Sequence, residues 1–119
     1  MAVSRLVPGA AIPSWATEGS FFSVTRTADE LSIVAAERCT PAGGQSQRGW
    51  RALKVHGPFA FSEIGVVSAL AAPLAQAKIG VFLVSTFDTD YLLLASSDLE
   101  TAILALEGAG HTIHRSTPE

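Results

Sequence analysis

The chain has 119 residues, enough for one domain that buries a core without disulfides or a metal. Apolar residues make up 48% and charged ones 16%, which excludes a disordered chain. A net charge of −3, with single basic residues scattered, excludes a general attraction for nucleic acid or anionic membrane.

The single cysteine, Cys39, cannot form an internal disulfide, and no secretory leader is read at the start, so a cytoplasmic protein is expected. Residues 64–85, IGVVSALAAPLAQAKIGVFLVS, are long and apolar with one charge, Lys78. Pro73, Gln76, Gly80 and a β-branched, aromatic tail make them a helix followed by a buried strand, not a membrane span.

Ala2–Leu6 alternates and is stopped by Pro8-Gly9, so a short strand opens the chain. A brief helix is expected around Ile12–Ala16, with Pro13 in its first turn. Phe21–Thr27 and Leu31–Ala36 are β-rich runs around Ala28-Asp29-Glu30, a hairpin. Thr27 and Glu30 also match a capping box, but both flanks favour strand. Residues 40–49, TPAGGQSQRG, lack bulk and read as a loop. Trp50–Val55 is a strand ended by Gly57-Pro58. Ser62 then caps a helix to about Lys78, with Ile64, Val67, Leu70, Ala71 and Leu74 at helical spacing and Pro73 as a kink. Val81–Ser85 and Tyr91–Ala95 are strands. Ser97 caps a helix to about Glu107, which Gly108 and Gly110 end, and His111–Arg115 reads as a last strand.

The order is β-α-β-β before Trp50 and β-α-β-β-α-β from Trp50 onward, which suggests a repeat. An ungapped shift lays FSVTRTADELSIVA (22–35) on FLVSTFDTDYLLLA (82–95), with Phe22 on Phe82, Val24 on Val84 and Ala35 on Ala95. Two such units, the first lacking its second helix, describe an α+β, ferredoxin-like sandwich with helices on one face of an antiparallel sheet.

The residues narrow this further. GWRALKVHGPFAFSEIGVVSALAAPLAQAKIGVFLVSTFDTDYLLLASSDLETAILAL resembles the ACT domains of small bacterial ACT proteins, related to the ACT pairs of arginine-sensing CASTOR proteins and to aspartate kinase regulatory domains. The carrying features are the Gly49–Val55 strand, Ile64-Gly65-Val66, Pro73-Leu74-Ala75 and the Ser85–Tyr91 hairpin. WATEGSFFSVTRTADELSIVA is similar to the family's first half. The resemblance implies a truncated first unit over 1–47 and a complete βαββαβ unit over 48–116, packed as one compact domain. It also implies binding of a free amino acid where two ACT units meet, through the loop and helix start of one and a strand edge of the other. Kinase catalytic residues and room for a kinase domain are missing, so no enzyme activity and no cofactor are expected. Ala95-Ser96-Ser97 departs from the more charged residues common after this hairpin.

A free amino acid brings a carboxylate and an ammonium, and a site must satisfy both. The loop that ends at Ser62, Glu63, Ile64 and Gly65 suits the carboxylate, because a helix N-terminus offers N–H groups and a positive dipole end. Gly65 would admit a ligand close to the backbone, or allow close helix–sheet packing. Asp88 and Asp90 suit the ammonium or a basic side chain; on an extended segment they share a face with Thr86, unless a turn breaks the parity. By resemblance, Asp90 corresponds to the acid that holds the arginine side chain in CASTOR proteins. A solvated hairpin acid is the competing reading for both. Glu63 could reach a cation or simply stabilise the helix dipole, and Phe87 could cover an aliphatic stem. These acids lean toward arginine or lysine as ligand. Asp88-Thr89-Asp90 offers too few oxygens for a metal, and His111 and His114, three apart in a strand, would face opposite ways.

The expectation is thus an amino-acid-binding regulatory module, working as a homodimer that covers its open sheet edges. The alternative is an ACT-type dimerisation or protein-interaction module without a ligand, its polar hairpin serving as an epitope for another protein.

Overall fold

In the computed structural model, which describes residues 1–55 and 65–114, strands β1 (Ala2–Leu6) and β3 (Leu31–Ala35) form the middle of a first sheet. They run antiparallel in the register Ala2↔Ala35 to Leu6↔Leu31. β2 (Ser23–Arg26) flanks β3, and β4 (Gln45–Gln47) flanks β1. Leu31, Ile33 and Ala35 alternate along β3 and are fully buried with Ala16. Trp15, Leu6, Ala10 and Val24 pack around them. The brief helix is a single 3-10 turn, Ser14–Thr17, with Pro13 as its N-cap.

β4 corrects the expected loop over 40–49. Its Gln and Ser side chains carry no apolar alternation, yet its backbone pairs antiparallel with β1. The buried Ser4 hydroxyl meets that of Ser46 at 2.8 Å. An outermost strand is set by main-chain hydrogen bonds, so hydrophobic pattern does not reveal it.

The chain divides into two compact units, Met1–Trp50 and Arg51–Glu119. In the second, β5 (Trp50–Lys54), β6 (Phe82–Ser85) and β7 (Asp90–Ala95) form a sheet of order β5-β7-β6. Helices α1 (Val66–Gln76) and α2 (Leu99–Gly108) cover one face of it. Leu92 and Leu94 of β7 are buried with Leu74 of α1 and Ala102 and Leu106 of α2, and Leu53 and Val55 pack against them. This is the helices-on-one-face arrangement of a ferredoxin-like α+β fold.

Both helices end in the same capping motif. Ile79 N–H bonds the Leu74 carbonyl and Lys78 N–H that of Ala75, while His111 N–H bonds Leu106 and Gly110 N–H bonds Glu107. These are the paired bonds of a Schellman cap, whose pivot residue must be left-handed. Gly110 takes φ 96 without penalty, but Lys78 holds φ 61 with a side chain.

Three expectations change here. α1 starts at Val66, because Gly65 at φ 84 is its N-cap and cannot continue a helix; the proposed cap, Ser62, lies outside the described residues. Residues 111–114 form no strand: the cap at His111 turns the chain back against the helices. The matching hairpins also sit one residue off the ungapped alignment. Thr27 N–H bonds the Glu30 carbonyl and Thr86 N–H that of Thr89, so Thr27 answers to Thr86 and not to Phe87. The turn threonine sets this register, overriding the coincidence of Phe22 with Phe82.

Lys78→Gly should stabilise the protein by about 1 kcal/mol, since left-handed backbone costs a side-chain-bearing residue about 1–2 kcal/mol. The melting midpoint should rise by several degrees; an unchanged or lower midpoint would mean that the lysine side chain stabilises this end in another way.

Candidate functional site

The hairpin between β6 and β7 is built on threonine. Thr86 Oγ1 donates to the Thr89 carbonyl at 3.0 Å and accepts from Thr89 N–H at 3.2 Å. Thr27 does the same in the first unit, accepting from Glu30 N–H and Asp29 N–H at 3.1 Å. This is the accepting half of a capping box placed in a hairpin, so the two competing signals at Thr27 are both physical.

Thr89 is buried, and its hydroxyl donates to the Val55 carbonyl at 2.7 Å. Val55 N–H bonds the Asp90 carbonyl at 2.9 Å. Both main-chain groups of Val55 are therefore tied to the hairpin, which fixes where the chain leaves β5.

A groove of about 1010 Å³ opens at this corner of the second unit. Its wall includes Lys54 and Val55, Val66 and Ala69 of α1, Thr86, Asp88 and Thr89 of the hairpin, and His111 and His114 after α2. That volume is of the order that holds a small molecule.

The structure brings two of the residues expected in the site to the groove. Thr86 and Asp88 lie on the groove wall. The Asp90 carboxylate accepts from the Ser85 hydroxyl across the hairpin, Oγ to Oδ1 at 2.5 Å. Phe87 stands at the tip, 79% exposed. Gly65 holds φ 84, a backbone region that favours glycine, and a side chain placed there would meet nothing within 4 Å among the described residues. Ser62, Glu63 and Ile64 lie outside the described residues.

Sequence reasoning missed Thr89 and the two histidines. A threonine at each end of the turn was the available signal for Thr89. The histidines, expected on opposite faces of a strand that the structure lacks, both line the groove.

Comparison with known proteins fixes the class. The ACT domain family model matches residues 45–108, and the model of a separate N-terminal domain matches residues 1–42. The chain belongs to the ACT domain family. The human cytosolic arginine sensor for mTORC1 subunit 1 is 36% identical over 59 residues, which is 49% of this chain and 18% of that protein. The human protein CASTOR3P is 33% identical over 96 residues, 70% of this chain and 59% of its own length. The chain therefore spans less than two thirds of either relative. Among solved structures, protein Atu0741 from Agobacterium tumefaciens superposes with a TM-score of 0.89 at 44% identity, covering 99% of this chain and 90% of that one. A Vibrio cholerae protein superposes at 0.68 with 18% identity, covering 92% and 84%, and shows the fold alone.

Thr89→Val keeps the shape of the side chain and strands the Val55 carbonyl. It should cost about 1–3 kcal/mol in urea unfolding, the range for a buried polar group left without its partner. A cost near zero would show that the hydroxyl does not hold the β5 exit.

Proposed function

We propose that this chain is an amino-acid-binding regulatory module of the ACT type, which holds a free amino acid and performs no chemistry on it. One observation carries the reading: the groove brings together Asp88 on a braced hairpin and Val66 at the first turn of α1. The first N–H groups of a helix have no intrahelical acceptor, and the dipole there favours a carboxylate. Asp88 offers a counter-charge to an ammonium or a basic side chain. Family membership and the similarity to an arginine sensor support the same reading, and with the acids of this region they favour arginine or lysine. Ser62, Glu63, Ile64 and Gly65 would form the carboxylate end, with Thr86, Phe87, Asp88 and Asp90 as the hairpin end. A second ACT unit, in a homodimer, would complete the site as the resemblance implies. Among the described residues no helix is long and apolar enough to cross a membrane. The mammalian relatives are named cytosolic, and we place this protein in the cytoplasm as well.

Thermal melting against each of the twenty amino acids tests this. At a hundredfold excess over Kd, binding should add about 2.7 kcal/mol and raise the midpoint by several degrees. Asp88→Ala should abolish the shift. Loss in Asp90→Ala but not in Asp88→Ala would transfer the cation-holding role from Asp88 to Asp90. No response at millimolar concentrations would transfer the reading to an interaction module.

That second reading has its own support. Among the described residues β6 is one of the two outer strands of its sheet. Leu83 pairs with Leu92, so it shares the helix-covered face, yet it is 44% exposed, and Val81 before the strand is 39% exposed. Apolar side chains on an outer strand invite pairing with another chain. Sedimentation equilibrium should show a concentration-dependent dimer, weakened at least tenfold by Leu83→Lys; a monomer at all concentrations would remove the homodimer from either reading.

A further inference from the structure

Pro73 lies inside α1 and has no N–H, so the Ala69 carbonyl one turn earlier loses its intrahelical donor. The His111 ring takes that place, with Nε2 2.9 Å from the Ala69 oxygen. A carbonyl only accepts, so Nε2 carries the hydrogen. The main chain of the same residue is held too, because the backbone N–H of His111 caps α2 on the Leu106 carbonyl at 3.0 Å. One helix thus holds the ring of His111 and the other its backbone.

His111 and Ala69 both line the groove. With Nε2 committed to the helix, Nδ1 is the polar atom that the ring has left to present there. In the neutral imidazole, with the hydrogen on Nε2, Nδ1 is an acceptor. Two of the three threonines of the same wall donate elsewhere, Thr86 to the Thr89 carbonyl and Thr89 to that of Val55, and Thr112 is the third. Asp88 is a second acceptor on this wall. An ammonium brings three hydrogens, more than one carboxylate satisfies by itself.

We infer that His111 is a ligand contact, accepting a hydrogen bond at Nδ1 from the α-ammonium of the amino acid in this groove. The inference rests on the amino-acid-binding reading and adds to it a recognition residue outside the hairpin and the helix start. Pro73 gains a functional consequence from it: by stranding the Ala69 carbonyl, it orients the imidazole and selects the tautomer that accepts.

The same proline supplies the test. His111→Ala removes both the ligand contact and the support for Ala69, and Pro73→Ala restores the intrahelical donor to Ala69. Wild type, His111→Ala, Pro73→Ala and the double variant are titrated calorimetrically with the amino acid that stabilises the wild type most, and each is melted without ligand. The double variant should regain the wild-type midpoint yet bind at least tenfold more weakly, as His111→Ala alone does. Recovery of wild-type affinity in the double variant would overturn the inference and leave His111 a brace of the helix. Unchanged affinity in His111→Ala would overturn it as well. Failure of the amino-acid reading looks different: the wild type itself would then bind none of the twenty.

Discussion

The second unit depends on the burial of Leu92 and Leu94 beneath two helices. Both leucines point to the same face of β7, and α1 and α2 close over them through Leu74, Ala102 and Leu106. Removing one such side chain to alanine typically costs about 2–5 kcal/mol, a large part of what a domain of this size has. The alternation also sets the geometry of the polar end. With β7 anchored between β5 and β6, its first residue, Asp90, must lie beside the end of β5, and the hairpin Thr86–Thr89 must overhang that end. The Thr89–Val55 bond then converts proximity into a fixed corner. The groove is a consequence of where the core leaves its strands.

Each helix is stopped by hydrogen bonds, and the stops carry information forward. At Lys78 the cap delivers Ile79 into the core, where it is 6% exposed. At Gly110 it delivers His111 to the carbonyl that Pro73 leaves without a helical donor. A proline inside a helix is usually a defect to be tolerated. Here the loss of one donor in α1 is offset by a donor from the segment that follows α2, which binds the end of the unit to its middle.

The parts that were legible in the sequence are those that apolar pattern controls. β1, β2, β3, β5, β6 and β7 all fall within or within one residue of the runs that alternation marked, and α2 starts and stops close to its signals. What was illegible is governed by backbone chemistry. β4 pairs through its main chain while its side chains stay polar. Gly65 decides the start of α1 by its torsion, which no side-chain pattern displays. The candidate site was half legible: Thr86 and Asp88 do reach the groove, but the partnership of Asp90 with Ser85 depends on a turn that side-chain parity alone could not place. His111 reads as strand because its neighbours alternate, whereas a cap and an orphaned carbonyl govern its position.

The two units share a hairpin and differ in helix. Thr27 and Thr86 brace the same turn, and each second strand runs into a short 3-10 segment, Glu37–Cys39 after β3 and Ser96–Asp98 after β7. In the second unit that segment continues into α2; in the first it stops. Likewise α1 has 11 residues, where the first unit has a four-residue 3-10 turn. A single turn aligns too few peptide dipoles to draw a carboxylate, while an 11-residue helix aligns enough. On the proposed reading, then, recognition of an amino acid falls to the second unit for a physical reason. The hairpin acid and the helix start have to occur together, and the first unit keeps the turn but has no helix that would complete a site.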